Sequence, residues 1–154
     1  MIWLVLDKPE VTAEWVARQL PQIGHAEKFG PLTAVAVVKD GRPLAGIVYS
    51  NFHGFDVQMS IASVDARWCQ RGVLRALFHI PFVQMGCLRV SAMTARGNKK
   101  ARRLLRGVGF VEEGSRDLGF DGKQTSVHYG MRHDKCRWIE SLNGQGIIER
   151  TRTA

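Results

Sequence analysis

A single α/β domain with a mixed sheet is the fold that this sequence predicts, on three observations. Short apolar runs of strand length alternate with longer helix-like segments in the order β-α-β-β-β-α-β-α-β-β. Tight turns join some strands and helices join others, which favours a sheet with both antiparallel and parallel pairs. The chain has 154 residues, of which 45% are hydrophobic and 23% charged, and this composition excludes a disordered or fibrous protein.

The N-terminal part is predicted to hold one strand, one helix and one loop. Ile2–Leu6 is a short apolar run of strand type. Thr12 is the expected N-cap of a helix over Ala13–Leu20, which Pro21 ends. The segment Gly24–Pro31 is expected to be a loop.

Three strands are predicted in the middle of the chain. Two apolar runs, Thr33–Lys39 and Leu44–Ser50, flank the dipeptide Asp40-Gly41, and this arrangement is typical of a β-hairpin. After a loop over Asn51–Phe55, the segment Val57–Val64 predicts a third, central strand.

Helices and strands alternate in the C-terminal half. A largely apolar helix is predicted from Val73 to Met85, and Pro81 should kink or split it because proline lacks the N–H that the helix needs. The remaining predicted elements are a strand at Cys87–Met93, a helix at Asn98–Val108, a strand beginning at Phe110–Glu113, a turn at Asp121-Gly122 and a last strand at Thr125–Met131. One domain over residues 1–140 and a polar tail over residues 141–154 are expected.

Charge, hydropathy and cysteine usage narrow the class of partner. The net charge of +8 favours an anionic partner such as nucleic acid, an acidic membrane or a phosphate-bearing cofactor. No apolar run approaches the roughly 18 residues of a membrane helix, and the N-terminus lacks a signal-peptide pattern. Cys69, Cys87 and Cys136 form no CxxC pair, so neither a disulfide framework nor a zinc site is expected. These features favour a cytoplasmic protein without a membrane partner or a metal.

A first candidate site is the turn Gln70-Arg71-Gly72-Val73-Leu74, which leads from a strand into a helix. The first backbone N–H groups of a helix have no partner within it, and together with the helix dipole they bind anions. Gly72 lets a ligand approach the backbone, and Arg71 and Arg75 add positive charge. The alternative is that Gly72 only eases the turn.

A second motif reads Asn98-x-x-Ala101-x-x-Leu104-Leu105-x-x-x-Gly109-Phe110. Asn98 is placed to cap the helix, and Gly109 to end it. At this spacing, after a strand–loop–helix–strand unit, the motif resembles the second cofactor-contacting motif of the GNAT superfamily of acetyl-CoA-dependent N-acetyltransferases. The resemblance covers about residues 33–138, and the segments 77–90 and 131–138 look like a branch of small GNAT proteins often encoded in bacteriophage genomes.

The resemblance implies a GNAT fold, in which the central sheet is splayed between two strands, and a site for acetyl-CoA as acyl donor. The pantetheine arm would lie in the gap beside the third central strand, and the loop amides would hold the pyrophosphate. The cofactor-binding residues implied in this way are Ala62, Ser63, Val64, Gln70, Arg71, Gly72, Val73, Leu74, Arg75, Asn98 and Arg102.

The chain departs from the family pattern at three positions. Cys69 and Leu74 stand at the first and last positions of the pyrophosphate loop, where Gln or Arg and Gly or Ala are usual, and the bulk of Leu74 is expected to narrow the approach. Leu105 stands where the family commonly has a tyrosine that protonates the departing thiolate. Because leucine cannot donate a proton, the acid must be another group or water.

Acyl transfer also needs a base that removes a proton from the amine. The candidates are Asp56, at the start of the central strand, and His53 in the loop before it. Asp56 is explained at least equally well as a turn or strand-start residue, and His53 is better explained as an ordinary loop residue. His128 and Tyr129 lie on the last strand, where alternation sends one of them inward, and Tyr129 is the candidate substitute acid.

A basic cluster surrounds Asn98 and comprises Arg96, Lys99, Lys100, Arg102, Arg103 and Arg106. Some of these cations suit the phosphates of CoA, all of them suit a nucleic-acid backbone, and most suit the solvated face of an amphipathic helix. No recognised nucleic-acid motif accompanies them, which disfavours that partner. The function that the resemblance implies is transfer of an acetyl group from acetyl-CoA to a primary amine by direct attack in a ternary complex. The alternatives are an acyl-CoA-binding protein with little turnover and a nucleic-acid-associated protein.

The acceptor amine is not identified by the sequence. The loops expected to contact it are Gly24–Pro31, Asn51–Phe55 and Leu118–Gln124, because such loops vary most in this kind of fold. Trp138 and the polar tail are candidate contacts of a homodimer, and Trp3, Trp15 and Trp138 are expected to fill the core or dock the termini.

Overall fold

Seven strands form one sheet in the order β1-β2-β3-β4-β5-β7-β6, in a computed structural model that describes residues 1–139. The strands are β1 Ile2–Val5, β2 Leu32–Lys39, β3 Arg42–Ser50, β4 Asp56–Ser63, β5 Arg89–Ala95, β6 Val111–Arg116 and β7 Ser126–Arg132. The helices are α1 Pro9–Gln19, α2 Arg71–His79 and α3 Lys99–Val108. This element order confirms the predicted one. Across residues 1–139, β4 with β5 is the one parallel pair of neighbours. The predicted tail lies outside the described residues.

The turn between β2 and β3 confirms the predicted hairpin. Asp40 has φ of 52° and Gly41 has φ of 74°, the left-handed values that a type I′ turn requires at both central positions. Glycine adopts such a φ without strain, and aspartate tolerates it better than most residues. The local sequence therefore sets the register of this strand pair.

The start of α1 corrects the sequence prediction. The helix begins at Pro9 rather than after Thr12, because proline has the backbone angle of a first helical residue and needs no N–H there. Thr12 is a buried residue inside the helix and caps nothing. The helix then packs on one face of β2, β3 and β4, where Gly46 permits a close approach to Val16.

Pro81 divides the second predicted helix, as its chemistry requires. The α-helical part ends at His79, and Ile80–Gln84 forms a π-helical turn in which the Met85 N–H donates to the Ile80 carbonyl at 2.9 Å. The buried Tyr49 hydroxyl donates to the Leu77 carbonyl at 2.6 Å and so ties α2 to β3. Burial raises the pKa of Tyr49 far above its ordinary value, so this donor keeps its proton.

The two faces of the sheet are covered unequally. A large apolar core lies between one face of the sheet and the helices α2 and α3, and a smaller core lies between the other face and α1. Ala62 of β4 belongs to the smaller core, so Gln58 and Asp56, two and three alternations away, lie on the same face of that strand. Beyond α1 this face continues with Ser91 of β5 and His128 of β7, and these polar residues line a cavity.

Two tryptophans differ in how they meet the core. Trp3 lies on the edge strand β1 with 62% of its surface exposed, so of the two expected roles, filling the core or docking a terminus, the first is excluded. Trp138 is half-buried, and its Nε1 donates to the Val108 carbonyl at 2.6 Å, which docks the C-terminal segment on the end of α3. None of the helices in residues 1–139 combines the length and apolar character that crossing a membrane requires.

Candidate active site

A gap between β4 and β5 is the main opening in the sheet. The two strands pair only at Asp56 with Arg89, Val57 with Val90 and Gln58 with Ser91. Beyond these positions both strands continue, to Ser63 and Ala95, without pairing to each other. A cleft of about 550 Å³ occupies this region and is lined by both strands and by the first turns of α3. The sheet is therefore splayed, as the resemblance implies.

The backbone hydrogen bonds of β4 identify which residues face the gap. The Val64 N–H donates to the Leu44 carbonyl of the β3 side at 2.9 Å, whereas the Phe55 carbonyl accepts from Leu88 on the β5 side at 2.8 Å. Because backbone groups alternate along an antiparallel ladder, Ala62 turns to β3 in the same way as Val64. The residues whose backbone groups face the gap are Met59, Ile61 and Ser63. Of the three predicted positions, only Ser63 therefore offers its backbone to the gap.

The loop before α2 presents unpaired backbone donors. Gln70 is the N-cap, its N–H donates to Trp68 and its carbonyl accepts from Leu74, both at 2.9 Å. Within residues 1–139, no acceptor lies in hydrogen-bond range of the amides of Arg71, Gly72 and Val73. These three amides are therefore the free donors of the predicted anion-binding turn, whereas the amides of Gln70 and Leu74 are already bonded.

Side chains around this turn divide into exposed polar ones and buried apolar ones. Arg71 and Arg75 are exposed, and a Cβ at Gly72 would meet no atom within 4 Å. Val73 and Leu74 are buried in the core, so the expectation that the bulk of Leu74 narrows the approach is wrong. Trp68 and Cys69 come just before the turn; Trp68 belongs to the large apolar core, and Cys69 packs against it. Trp68 is 1% exposed, and burial raises the pKa of the Cys69 thiol.

Asn98 lines the cleft at the start of α3, whereas residues 70–75 of the turn do not line it. Its Oδ1 accepts from the Ala101 N–H at 3.0 Å, which confirms the predicted helix cap. Its side-chain NH₂ group stays available as a donor on the cleft side. Leu105 also lines the cleft and is 6% exposed, so this wall is apolar where the family commonly has a proton donor.

Arg102 and Tyr129 bond to each other on the α3 side of the sheet. Nε of Arg102 donates to the Tyr129 hydroxyl at 3.0 Å, Nη1 donates to the Arg96 carbonyl at 3.1 Å and Nη2 donates to Glu112 at 2.9 Å. These bonds raise the pKa of Arg102. Tyr129 is 1% exposed, so the structure turns Tyr129 toward the core and His128 toward the opposite face.

A second cavity of about 360 Å³ adjoins the closed end of the gap and shares Gln58, Ala92 and Met93 with the first. Its polar side chains include Asp56, Ser91, His128 and Arg116. The Ser91 hydroxyl lies 2.9 Å from both carboxylate oxygens of Asp56 and donates to them. His53 is exposed in the preceding loop, where its Nε2 lies 3.1 Å from Asn51 Oδ1.

His128 is the neutral imidazole of this second cavity. Burial, and secondarily the positive charge of Arg116, lower its pKa below the ordinary 6.5. Its Nε2 lies 2.8 Å from the Ser126 hydroxyl oxygen. A neutral ring at physiological pH can accept a proton. Alternation along β7 puts either His128 or Tyr129 on this face, and the packing of the sheet decides that it is His128.

The basic cluster around α3 is largely a solvent-facing surface. Its exposed members are Arg96, Lys99, Lys100, Arg103 and Arg106, whereas Arg102 is half-buried. In the described part of the chain none of the five exposed cations has a carboxylate within 4 Å.

The three loops expected to contact the acceptor differ in position. Residues 119–121 and Asn51 line the cavities, whereas residues 24–31 line neither cavity.

Comparison with known proteins identifies the fold. No family model matches this sequence, and no curated protein matches it either. A dodecameric spermidine N-acetyltransferase from Vibrio cholerae superimposes with a TM-score of 0.69 at 13% identity, over 94% of this chain and 98% of that one. The chain has the GNAT fold. A ribosomal-protein-S5-alanine acetyltransferase from Vibrio fischeri shares this fold with a TM-score of 0.62 at 14% identity, over 88% and 95% of the two chains.

A third structure with the GNAT fold is a probable acetyltransferase, with a TM-score of 0.59 at 19% identity over 85% of this chain and 92% of that one. Identities this low relate the chains by their GNAT fold, and the substrates named for these enzymes are their own. The similarity to a phage-encoded branch stays a prediction from the sequence.

Proposed function

We propose that this protein is an N-acetyltransferase that moves an acetyl group from acetyl-CoA to a primary amine by direct attack in a ternary complex. The observation that carries the proposal is the gap between β4 and β5, which opens toward the loops after both strands and closes beside Asp56 and Ser91. The similar structures are acetyltransferases, which supports the same class of reaction.

The residues around the gap fit the parts of acetyl-CoA. A pyrophosphate needs N–H donors and positive charge, which the amides of Arg71–Val73 and the exposed side chain of Arg75 offer. The pantetheine arm carries amide groups that pair as a strand does, and the gap-facing backbone of β4 supplies the partner. Asn98 contributes a donor from the other wall. The acetyl end then lies near Gln58 and Met93, where the two cavities meet.

In this proposal, proton transfer takes place in the second cavity, which His128 lines. Acetyl-CoA supplies the acetyl group as a thioester. The acceptor amine must lose a proton to become a nucleophile, and neutral His128 accepts it. Nδ1 of His128 is the receiving atom, because Nε2 faces Ser126 and Nδ1 has no partner in residues 1–139. Asp56 and Ser91 orient the amine. Since Leu105 has no proton to give, the thiol proton comes from water or from His128.

A second candidate function is binding of an acyl-CoA without efficient turnover. The apolar side chain of Leu105 in the cleft wall favours it, because the leaving thiolate has no tyrosine hydroxyl beside it. The two functions share the same acetyl-CoA site and differ only in whether thiol is released.

A calorimetric titration with acetyl-CoA, followed by a thiol-release assay with a panel of primary amines, tests both candidates. Binding together with amine-dependent thiol release supports the transferase. Binding without release by any amine supports the second candidate. Absence of binding by the folded protein contradicts both and directs attention to the exposed cations of α3, whose nucleic-acid affinity should then fall steeply with salt.

A further inference from the structure

We propose that the acceptor is a small primary amine that also carries an anionic group, as an amino acid does, and that Arg116 binds this anion. The inference rests on the proposed function, because it assigns the substrate class of the second cavity. That cavity measures about 360 Å³, near the lower end of the range of about 300–1,000 Å³ for small-molecule sites.

One wall of the cavity carries a surplus negative charge. Arg89 is bonded to two carboxylates at once: its Nη2 and Nη1 donate to Glu113 at 2.6 and 3.1 Å, and its Nε lies 3.6 Å from Asp56. One guanidinium therefore balances two carboxylates, and Asp56 is the more loosely held of the two. An ammonium group entering the cavity meets an attractive charge at Asp56.

The other wall carries a positive charge without an internal counterion. Arg116 ends β6 opposite Ser126 and lines the cavity, and its charge reaches the His128 ring. Among residues 1–139, no carboxylate lies within 4 Å of its guanidinium. This contrasts with Arg89 and Arg102, which both hold carboxylates.

The stem of Arg116 is held in place by a close turn. A Cβ at Gly119 would lie 2.7 Å from the Cβ of Arg116 and 2.6 Å from the Ser126 hydroxyl oxygen, so only glycine fits between them. The packing brings the chain after β6 against the first carbon of the stem, while Arg116 as a whole is exposed and lines the cavity. A guanidinium binds carboxylates and phosphates in a bidentate manner.

The two walls together match an acceptor with both charges. The anion pairs with Arg116, the ammonium is drawn toward Asp56, and His128 between them takes the proton that the nitrogen loses. A purely cationic acceptor would leave Arg116 unpaired and face the repulsion of a chain with net charge +8. The spermidine acetyltransferases share the fold, but this cavity does not suit a polyamine.

Calorimetry of acceptor binding to the CoA-saturated protein tests the inference without requiring turnover. The titrants are the L-amino acids, their carboxamides, the corresponding decarboxylated amines, ethanolamine and O-phosphoethanolamine. At least one amine that carries an anionic group should bind. Its counterpart without the anionic group, the carboxamide or the decarboxylated amine, should bind about 10- to 150-fold more weakly, as expected for loss of a hydrogen-bonded charge pair. Binding by O-phosphoethanolamine alone would support the inference with phosphate as the anion.

Two variants make the test specific to Arg116. Arg116→Gln should abolish the preference for anionic amines while acetyl-CoA still binds. Arg18→Gln is the matched control, because Arg18 is exposed on α1 and pairs with Glu14, and it should keep the preference. The inference is overturned if carboxamides or plain amines bind as tightly as the acids, or if no anionic amine binds. If the wild-type protein does not bind acetyl-CoA at all, the proposed function is contradicted instead. The titrations with amines are then carried out on the protein without CoA and still test the role of Arg116.

Discussion

Replacing Gly72 by tryptophan should place an indole on the proposed anion-binding turn without disturbing the fold. Gly72 is the second residue of α2, it is exposed, and a Cβ there would meet no atom within 4 Å. Its φ is not in the left-handed region, so a side chain is tolerated by the backbone. The new side chain therefore fills the space in front of the turn, where the proposal places the pyrophosphate.

The size of the effect follows from the donors that the indole covers. Each hydrogen bond to a charged group contributes about 1.5–3 kcal/mol, and three amides, of Arg71, Gly72 and Val73, are available. Loss of two contacts weakens binding by about 3–6 kcal/mol, which raises the Kd for acetyl-CoA by roughly 10²- to 10⁴-fold. Tryptophan has a higher helix propensity than glycine, so the free energy of unfolding should change by less than about 1 kcal/mol.

Calorimetric titration with acetyl-CoA and thermal unfolding measure the two quantities separately. Gly72→Ala is a graded variant, and Gly107→Trp is the matched control, because Gly107 is an exposed glycine of α3 with no atom within 4 Å of a Cβ and outside both cavities. Gly107→Trp should bind acetyl-CoA as the wild type does. A folded Gly72→Trp protein with unchanged affinity would refute the assignment of the turn.

Three further predictions concern the other wall, the base and the packing of α1. Asn98→Ser keeps an oxygen at the helix cap but removes the carboxamide donor, so calorimetry should show a Kd raised roughly 2- to 12-fold at an unchanged Tm; a fall in Tm with no change in Kd would leave Asn98 as a cap alone. In the pH dependence of kcat/KM, activity should fall on the acid side below pH 6.5, because a lowered pKa keeps His128 neutral down to that range. Arg116→Gln should raise this pKa and move the fall to higher pH, and a wild-type profile without a fall on the acid side would contradict His128 as the base. Gly46→Ala should lower the free energy of unfolding in urea by about 1–3 kcal/mol, because its Cβ would lie 2.5 Å from Cγ2 of Val16, and an unchanged midpoint would show that α1 shifts freely.

The sequence by itself determined the features that depend on neighbouring residues. The order of strands and helices, the type I′ hairpin at Asp40-Gly41, the cap at Asn98 and the division at Pro81 follow from backbone angles, hydrogen-bonding capacity and hydrophobic period over a few residues. The predicted start of α1 was wrong because Pro9 and Thr12 are both acceptable helix-start residues, and the structure begins the helix at Pro9 and buries Thr12 inside it.

Only the tertiary structure decided which groups face the gap and the second cavity. The pairing of β4 with β5 ends after Gln58 and Ser91, and this depends on contacts between strands far apart in sequence. The same long-range pairing fixes which alternate residue turns inward, so His128 reaches the cavity and Tyr129 bonds to Arg102 instead. A shift of one residue would exchange them, because side chains alternate with a period of two along a strand.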